Sequence, residues 1–312
     1  MDVRRLELLR ELAERGSVGA VATATHRTPS AVSQQLKVLE REIGTALTER
    51  HGRGIKLTEA GRALARTATD IAVAMERAEA LWSEYMGTPS GVVTLATFPT
   101  AGQMFLPGLL RRVVEHPNVR LVVADHDPTL EGFATLAQDF DLVLAHSPTG
   151  PRAWRGSGLQ VTELMSEPLD IALPPGHRLL EKDVLKPADL VGEPWIGVPL
   201  DMPFQQVLIE IEEITGEPPR VLQRFADTRI VEALVDAGHG VAILPRFTAG
   251  STKTAIGTRP LKGVTVERHI SVLTRPDRAE RPSVQLILRM LEEEASIIAA
   301  TNGLIAASSP RR

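Results

Sequence analysis

The chain has 312 residues, 43% hydrophobic and 24% charged, an ordinary globular composition long enough for two or three domains. It contains no cysteine, which excludes disulfides, zinc–thiolate centres and thiol redox chemistry, and its eight histidines are scattered without metal-ligand spacing, so no metal and no other cofactor is expected. The net charge of −4 is uneven, since residues 1–66 carry a net +4 and the rest a net −8, although chance asymmetry would look the same.

No apolar run approaches the ~20 residues of a membrane span. The start, Met1-Asp2-Val3-Arg4-Arg5, lacks the apolar core of a signal peptide, so a cytoplasmic protein with no membrane partner is expected. A first helix is predicted from Asp2, its N-cap, to Arg15, burying Val3, Leu6, Leu9, Leu12 and Ala13. Gly16 ends it, and Ser17 caps a short second helix, Val18 to Ala24.

A third helix follows the Thr28 cap, with Pro29 at its first position, where no amide hydrogen bond is lost. Val32, Leu36, Leu39 and Ile43 form its apolar stripe, while Ser30, Ser33, Gln34 and Lys37 share another face. That face is short and, except for Lys37, uncharged. Such side chains can approach base edges, Gln pairing with adenine and Ser with bases or backbone, although a solvated face would show the same spacing. Gly44 stops the helix, and Leu47 to Leu57 reads as a hairpin whose Arg50, Arg53 and Lys56 crowd cations around two glycines. A basic hairpin beside a helix-turn-helix is a wing, suited to phosphates or the minor groove.

From Thr58 to about Met86 a long helix is predicted, with Leu64, Ala68, Ile71, Met75, Ala78, Trp82 and Tyr85 in a sustained heptad pattern. A dimerising coiled coil is expected; a helix packed on its own domain would show the same stripe. Gly87 to Gly91 is a hinge by composition. Beyond it, strand-like runs alternate with helical stretches: Val92–Thr97, Val119–Ala124, Asp141–Ala145, Leu169–Leu173, Trp195–Val198, Val221–Phe225, Gly240–Leu244 and Ile270–Leu273. That alternation predicts a largely parallel α/β sheet in two lobes, with a ligand beyond the strand ends. Turn segments at those ends contain Thr100, His146, Ser147, Pro203, Phe204, Asp227 and Arg246. A last helix is expected from Pro282 to Ile298, followed by a frayed tail.

Gly16-Ser17, Ala31-Val32-Ser33-Gln34-Gln35-Leu36, Leu39-Glu40 and Leu57-Thr58-Glu59-Ala60-Gly61 resemble the N-terminal domain of LysR-type transcriptional regulators. The resemblance spans nearly the whole chain. It implies a multidomain α+β and α/β architecture: a winged helix-turn-helix (1–60), a linker and dimerisation helix (61–87) and a two-lobed effector-binding domain (88–300) similar to periplasmic solute-binding proteins. Lobe 1 is expected at about 92–162 and 270–300, and lobe 2 at about 163–269. By resemblance, Thr28, Pro29, Ser30, Ser33 and Gln34 face the major groove, with Lys37, Arg50 and Arg53 as further DNA contacts. The family often has Arg where this chain has Gln34. An effector is implied near Thr100, His146, Ser147, Pro203, Phe204 and Arg246, and Arg246 with the helix start at Thr100 would suit a carboxylate. Asp127-Pro128 stands where many relatives carry a hydroxyl residue. Further implied partners are promoter DNA, RNA polymerase and a homodimer, assembled as a homotetramer.

An enzyme is not expected. His146, Ser147 and Asp141 offer triad residue types, but Ser147 lacks a Gly-x-Ser-x-Gly elbow and no phosphate-cradling glycine motif is present.

Overall fold

A computed structural model describes residues 1–52, 54–86, 89–200, 202, 204–250, 254–264 and 267–303. The chain divides into two compact units, 1–92 with 274–286, and 93–273 with the residues from 287 onward.

In the first unit, α1 (Val3–Arg15), α2 (Val18–Ala24) and α3 (Pro29–Ile43) start where the sequence supplies a cap. Asp2 accepts from the Arg4 amide, Ser17 from Ala20 and Thr28 from Ala31. Gly16 and Gly44 end α1 and α3 with φ of 71° and 75°, a left-handed turn that glycine adopts without steric cost. Leu6, Leu9 and Leu12 of α1 meet Val32, Leu36 and Leu39 of α3 in one core. The ends of the predicted stripes are exposed instead: Val3, Ala13 and Ile43 face outward, and Leu8 is buried.

The hairpin pairs β1 (Thr48–His51) with β2 (Gly54–Leu57) antiparallel, Thr48 opposite Leu57. It leads into α4 (Glu59–Met86). Gly61 lets this helix approach the preceding loop, because a β-carbon there would lie 2.0 Å from the Leu47 carbonyl oxygen. Gly61→Ala is therefore expected to destabilise the unit by about 1–3 kcal/mol despite alanine's better helix propensity, read as a lower urea midpoint.

The heptad stripe on α4 splits in two. Leu64, Ala68 and Ile71 of the stripe, with Ala65 beside them, pack into the core of their own head, which corrects the expectation that the whole stripe is a dimer seam. Farther along, Met75, Leu81, Trp82 and Tyr85 are exposed, and the Trp82 and Tyr85 rings stack at 5.6 Å.

After the second unit the chain re-enters the first through α9 (Pro276–Ala279) and the start of α10 (Pro282–Thr301). This return builds a buried charge network on α1. Arg275 bridges to Glu11 at 3.0 Å, Glu14 at 2.8 Å and Asp277 at 3.1 Å, and Arg10 reaches Asp277 at 2.6 Å. Burial pushes the Asp277 carboxyl up, but Arg275 and Arg10 more than offset that and hold it below the usual range.

The second unit contains β3 (Gly91–Thr97, begun in the first), α5 (Pro99–Val113), β4 (Val119–Asp125), α6 (Leu130–Leu136) and β5 (Leu142–Ser147). Then follow β6 (Gln160–Leu173), β7 (Pro194–Gly197), α7 (Gln205–Thr215), β8 (Arg220–Arg224), α8 (Thr228–Asp236), β9 (Ala242–Pro245), β10 (Gly257–Pro260) and β11 (Glu267–Thr274). A seven-stranded sheet runs β10-β6-β11-β5-β3-β4, with β9 also on β6, and β7 pairs with β8. The sheet is mixed rather than largely parallel. β3 and β5 are parallel, as are β7 and β8, but β5–β11, β6–β9 and β6–β10 are antiparallel.

Two strands account for the difference. β6 is 14 residues long, far longer than the predicted Leu169–Leu173, and carries the chain from the lobe of β3–β5 to that of β7–β10. β11 returns it, so each lobe gains a strand entering from the other. The second lobe has its own core, including Leu169, Ile171, Trp195, Val207, Ile211 and Ile243.

Candidate functional site

The first candidate surface is the face of α3. Thr28, Pro29, Ser30, Gln34 and Lys37 are exposed and Ser33 is half-buried, while the opposite stripe is in the core. The Thr28 and Ser30 hydroxyls share a hydrogen bond of 3.0 Å at the start of the helix. A surface groove beside them is lined by Gln34, Lys37, Glu40, Arg41 and the turn that follows. On the wing, Arg50 is exposed and Lys56 pairs with Glu49 at 3.3 Å. Arg53 lies outside the described residues.

Glu40 joins the helix to the wing. One carboxylate oxygen accepts from the Leu47 amide at 2.9 Å, the Thr48 amide at 2.8 Å and the Thr48 hydroxyl at 2.8 Å. Charge-assisted bonds of this kind are roughly twice as strong as neutral ones. The polar ridge and the hairpin are therefore held in one geometry.

The second candidate is a cavity of about 290 Å³ in the second unit. Thr100, His146 and Phe204, singled out in the sequence, line it together with Phe98, Asp127 and Arg268. Arg268 is 3% exposed, and its Nη2 donates to Glu167 at 2.6 Å and to the Thr100 hydroxyl at 2.8 Å. Its guanidinium also lies over the Phe98 ring at 5.1 Å and near the Phe204 ring at 5.6 Å. Glu167 is fully buried and takes a further bond from the Phe247 amide. Arg268 is thus already neutralised. His146 lies 4.6 Å from Phe98 and 5.3 Å from Phe133, ring centre to ring centre. Burial, and secondarily Arg268, pushes its pKa down to about 3, so it is neutral at physiological pH.

Two other expected contacts stand elsewhere. Ser147 is fully buried and its hydroxyl donates to the Gly150 carbonyl at 2.9 Å, so it is a structural hydrogen bond. Arg246 makes a bidentate pair with Asp170 at 2.7 and 2.8 Å and does not line the cavity, which removes the cation that suggested a carboxylate. Pro203 lies outside the described residues.

Sequence reasoning passed over Arg268, Asp125 and Arg229 as cavity-lining groups, while Asp227, one of the strand-end residues it named, does line the cavity. Arg268 did leave a signal. It alternates with Ile270 and Val272 along β11 and so shares their inward face, an odd place for a lone cation.

The profile of the LysR substrate binding domain matches residues 86–296, more than half of the chain, and that of bacterial regulatory helix-turn-helix proteins of the lysR family matches residues 3–62. The chain belongs to the LysR family. This LysR-type transcriptional regulator has a helix-turn-helix domain and an effector-binding domain, and the matching families are regulators rather than enzymes. It is 27% identical over 286 residues to the transcriptional dual regulator GltC of Bacillus subtilis, covering 91% of this chain and 94% of that protein. It is 28% identical to the transcriptional activator protein LysR of Escherichia coli, covering 80% and 79%. Among solved structures, full-length CbnR in complex with its target DNA aligns with a TM-score of 0.52 and 25% identity, covering 95% of this chain and 100% of that one. A full-length OxyR variant from Pseudomonas aeruginosa aligns with a TM-score of 0.64 at 18% identity, covering 95% and 97%, and shares the fold. No helix among the described residues is long and apolar enough to cross a membrane.

Proposed function

We propose that the regulator reads promoter DNA with Thr28, Pro29, Ser30, Ser33, Gln34 and Lys37 of α3 in the major groove, and with Arg50 and Arg53 of the wing on the flank. The observation that carries this reading is the short polar ridge of α3, locked to an exposed cationic hairpin by Glu40. Short uncharged side chains let the helix approach base edges closely, and the cations supply phosphate contact without sequence preference.

The DNA-binding head is assigned to residues 1–60, the linker helix to 61–87 and the effector-binding domain to 88–300. Two heads meet a pseudo-palindromic operator in a homodimer formed through the exposed distal half of α4, around Leu81, Trp82 and Tyr85. Pairs of dimers form a tetramer in the cytoplasm. A small-molecule effector in the cavity of Thr100, His146, Phe204 and Arg268 alters the promoter complex and its contact with RNA polymerase. An effector does so only by binding two arrangements of the protein with unequal affinity.

Fluorescence anisotropy with duplexes from the gene's own upstream region tests the DNA reading. Operator affinity should fall steeply with salt, because phosphate contacts release counterions. Ser33→Ala with Gln34→Ala should lower operator affinity by about tenfold and leave random-duplex affinity unchanged. Equal loss on both duplexes would remove base reading by α3.

A further inference from the structure

Arg268 spends only part of its donor set inside the protein. Its Nε and Nη2 both donate to Glu167, at 2.8 and 2.6 Å, and Nη2 also donates to the Thr100 hydroxyl at 2.8 Å. Nη1 donates to no group among the described residues and is not sealed from accessible space. On a side chain only 3% exposed, that arm opens on the cavity that Arg268 lines. Thr100, itself buried on the same wall, accepts from Arg268, and its own hydroxyl hydrogen meets no acceptor among the described residues.

Nη1 and Nη2 share one carbon, and Nη2 touches the Thr100 oxygen. The two idle donors therefore stand side by side, and a single acceptor oxygen can satisfy both. Leaving buried donors unfilled is costly, which favours a ligand that brings such an oxygen.

Charge decides which kind of oxygen it is. A buried carboxylate needs a cation with charge to spare. The described lining holds two arginines: Arg268 is balanced by the fully buried Glu167, and Arg229 pairs with Asp227 at 2.8 Å. Asp125 and Asp127, exposed members of the lining, only add negative charge. A carbonyl oxygen takes the same two bonds and brings no charge to be desolvated. The rest of the wall includes the rings of Phe98, Phe204 and the neutral His146, with ring centres 4.6 and 6.0 Å from His146, a surface suited to a flat ring.

From this arrangement we infer that the effector is an uncharged aromatic carbonyl compound, an amide, ester or ketone. Its carbonyl oxygen accepts from Arg268 Nη1 and the Thr100 hydroxyl, and its ring lies against Phe98 and Phe204. The inference rests on the cavity being the effector site.

Isothermal titration calorimetry of the full-length protein tests it, with a primary amide, a carboxylate or an aminomethyl group carried on phenyl, benzyl and 2-phenylethyl skeletons. On at least one skeleton the amide should bind about ten- to a hundredfold tighter than either charged form. Arg268→Lys keeps a cation opposite Glu167 but has no second arm for the ligand, and should remove most of that advantage. Ala226→Trp, which places a ring at the exposed mouth of the cavity, should weaken every form. Preference for the carboxylate or the amine, with binding lost in Ala226→Trp, would keep the cavity as the effector site and overturn the uncharged assignment. An amide advantage undiminished in Arg268→Lys would overturn the Nη1 contact. Binding that ignores Ala226→Trp, or no binding by any form, would remove the cavity reading and this inference with it. Circular dichroism checks that each variant folds, and the ranking of the three forms in the parent protein decides the charge question without Arg268→Lys.

Discussion

Asp277→Ala is expected to cost the DNA-binding unit about 3–5 kcal/mol, the usual loss when one partner of a buried ion pair is removed. Asp277 takes both Arg275 and Arg10, and all three side chains are at least nine-tenths buried. Without it, Arg10 keeps only Glu11, at 4.0 Å, and Arg275 must share Glu11 and Glu14 with Arg10 and Arg15. Urea unfolding followed by circular dichroism reads the loss. Replacing both ends together, Arg10→Met with Asp277→Leu, should recover most of it, since an apolar pair leaves no stranded charge. A single variant indistinguishable from the parent would show that the network is wet.

His146 gives the second large effect, as a slope with pH. Its folded pKa of about 3 lies far below the ordinary histidine value of 6.5. Between those values the unfolded chain binds a proton that the folded one does not, so stability falls as pH drops below about 6.5. The loss should reach about 2 kcal/mol by pH 5, from 1.36 kcal/mol for each unit of pH. His146→Leu should abolish this part of the slope in urea titrations at pH 7 and pH 5. An equal slope in both proteins would mean that the ring protonates without unfolding. The Asp277 and Glu11 carboxyls, both depressed, act in a more acidic window. Their contribution is present above the ordinary carboxylate range and is lost as pH falls through their folded values.

The helix starts of the head were legible in the sequence. Asp2, Ser17 and Thr28 cap the helices they were expected to cap, because an N-cap acts through amides within three residues of itself. The strand around Leu142–Ala145 was found because its apolar run reflects burial, and that around Val119–Ala124 because its β-branched residues favour a strand, although only Val119 of it is buried. β10 was missed: Gly257, Arg259 and Pro260 are poor strand formers, tolerated because β10 ends the sheet path and β6 is its one strand partner among the described residues. The long extent of β6 was missed because Ser166, Glu167 and Pro168 break the apolar pattern where the strand passes between lobes.

The cavity shows the same limit. Thr100, His146 and Phe204 could be found at strand and helix ends, but the pairings Arg268–Glu167 and Arg246–Asp170 join residues 101 and 76 positions apart. Nothing local in the chain states which acid each arginine meets, and those two pairings engage both cations and remove the basis for expecting a carboxylate.

The three bonds to Glu40 have a consequence for how a signal can arrive at the duplex. Under the proposed DNA reading, a head whose ridge and hairpin are clamped would not retune itself by flexing, and each half-operator would meet the same rigid caliper whether or not an effector is bound. Regulation, on that reading, would be left with the separation and tilt of whole calipers: the bases recognised would stay constant, and the spacing between them would carry the message.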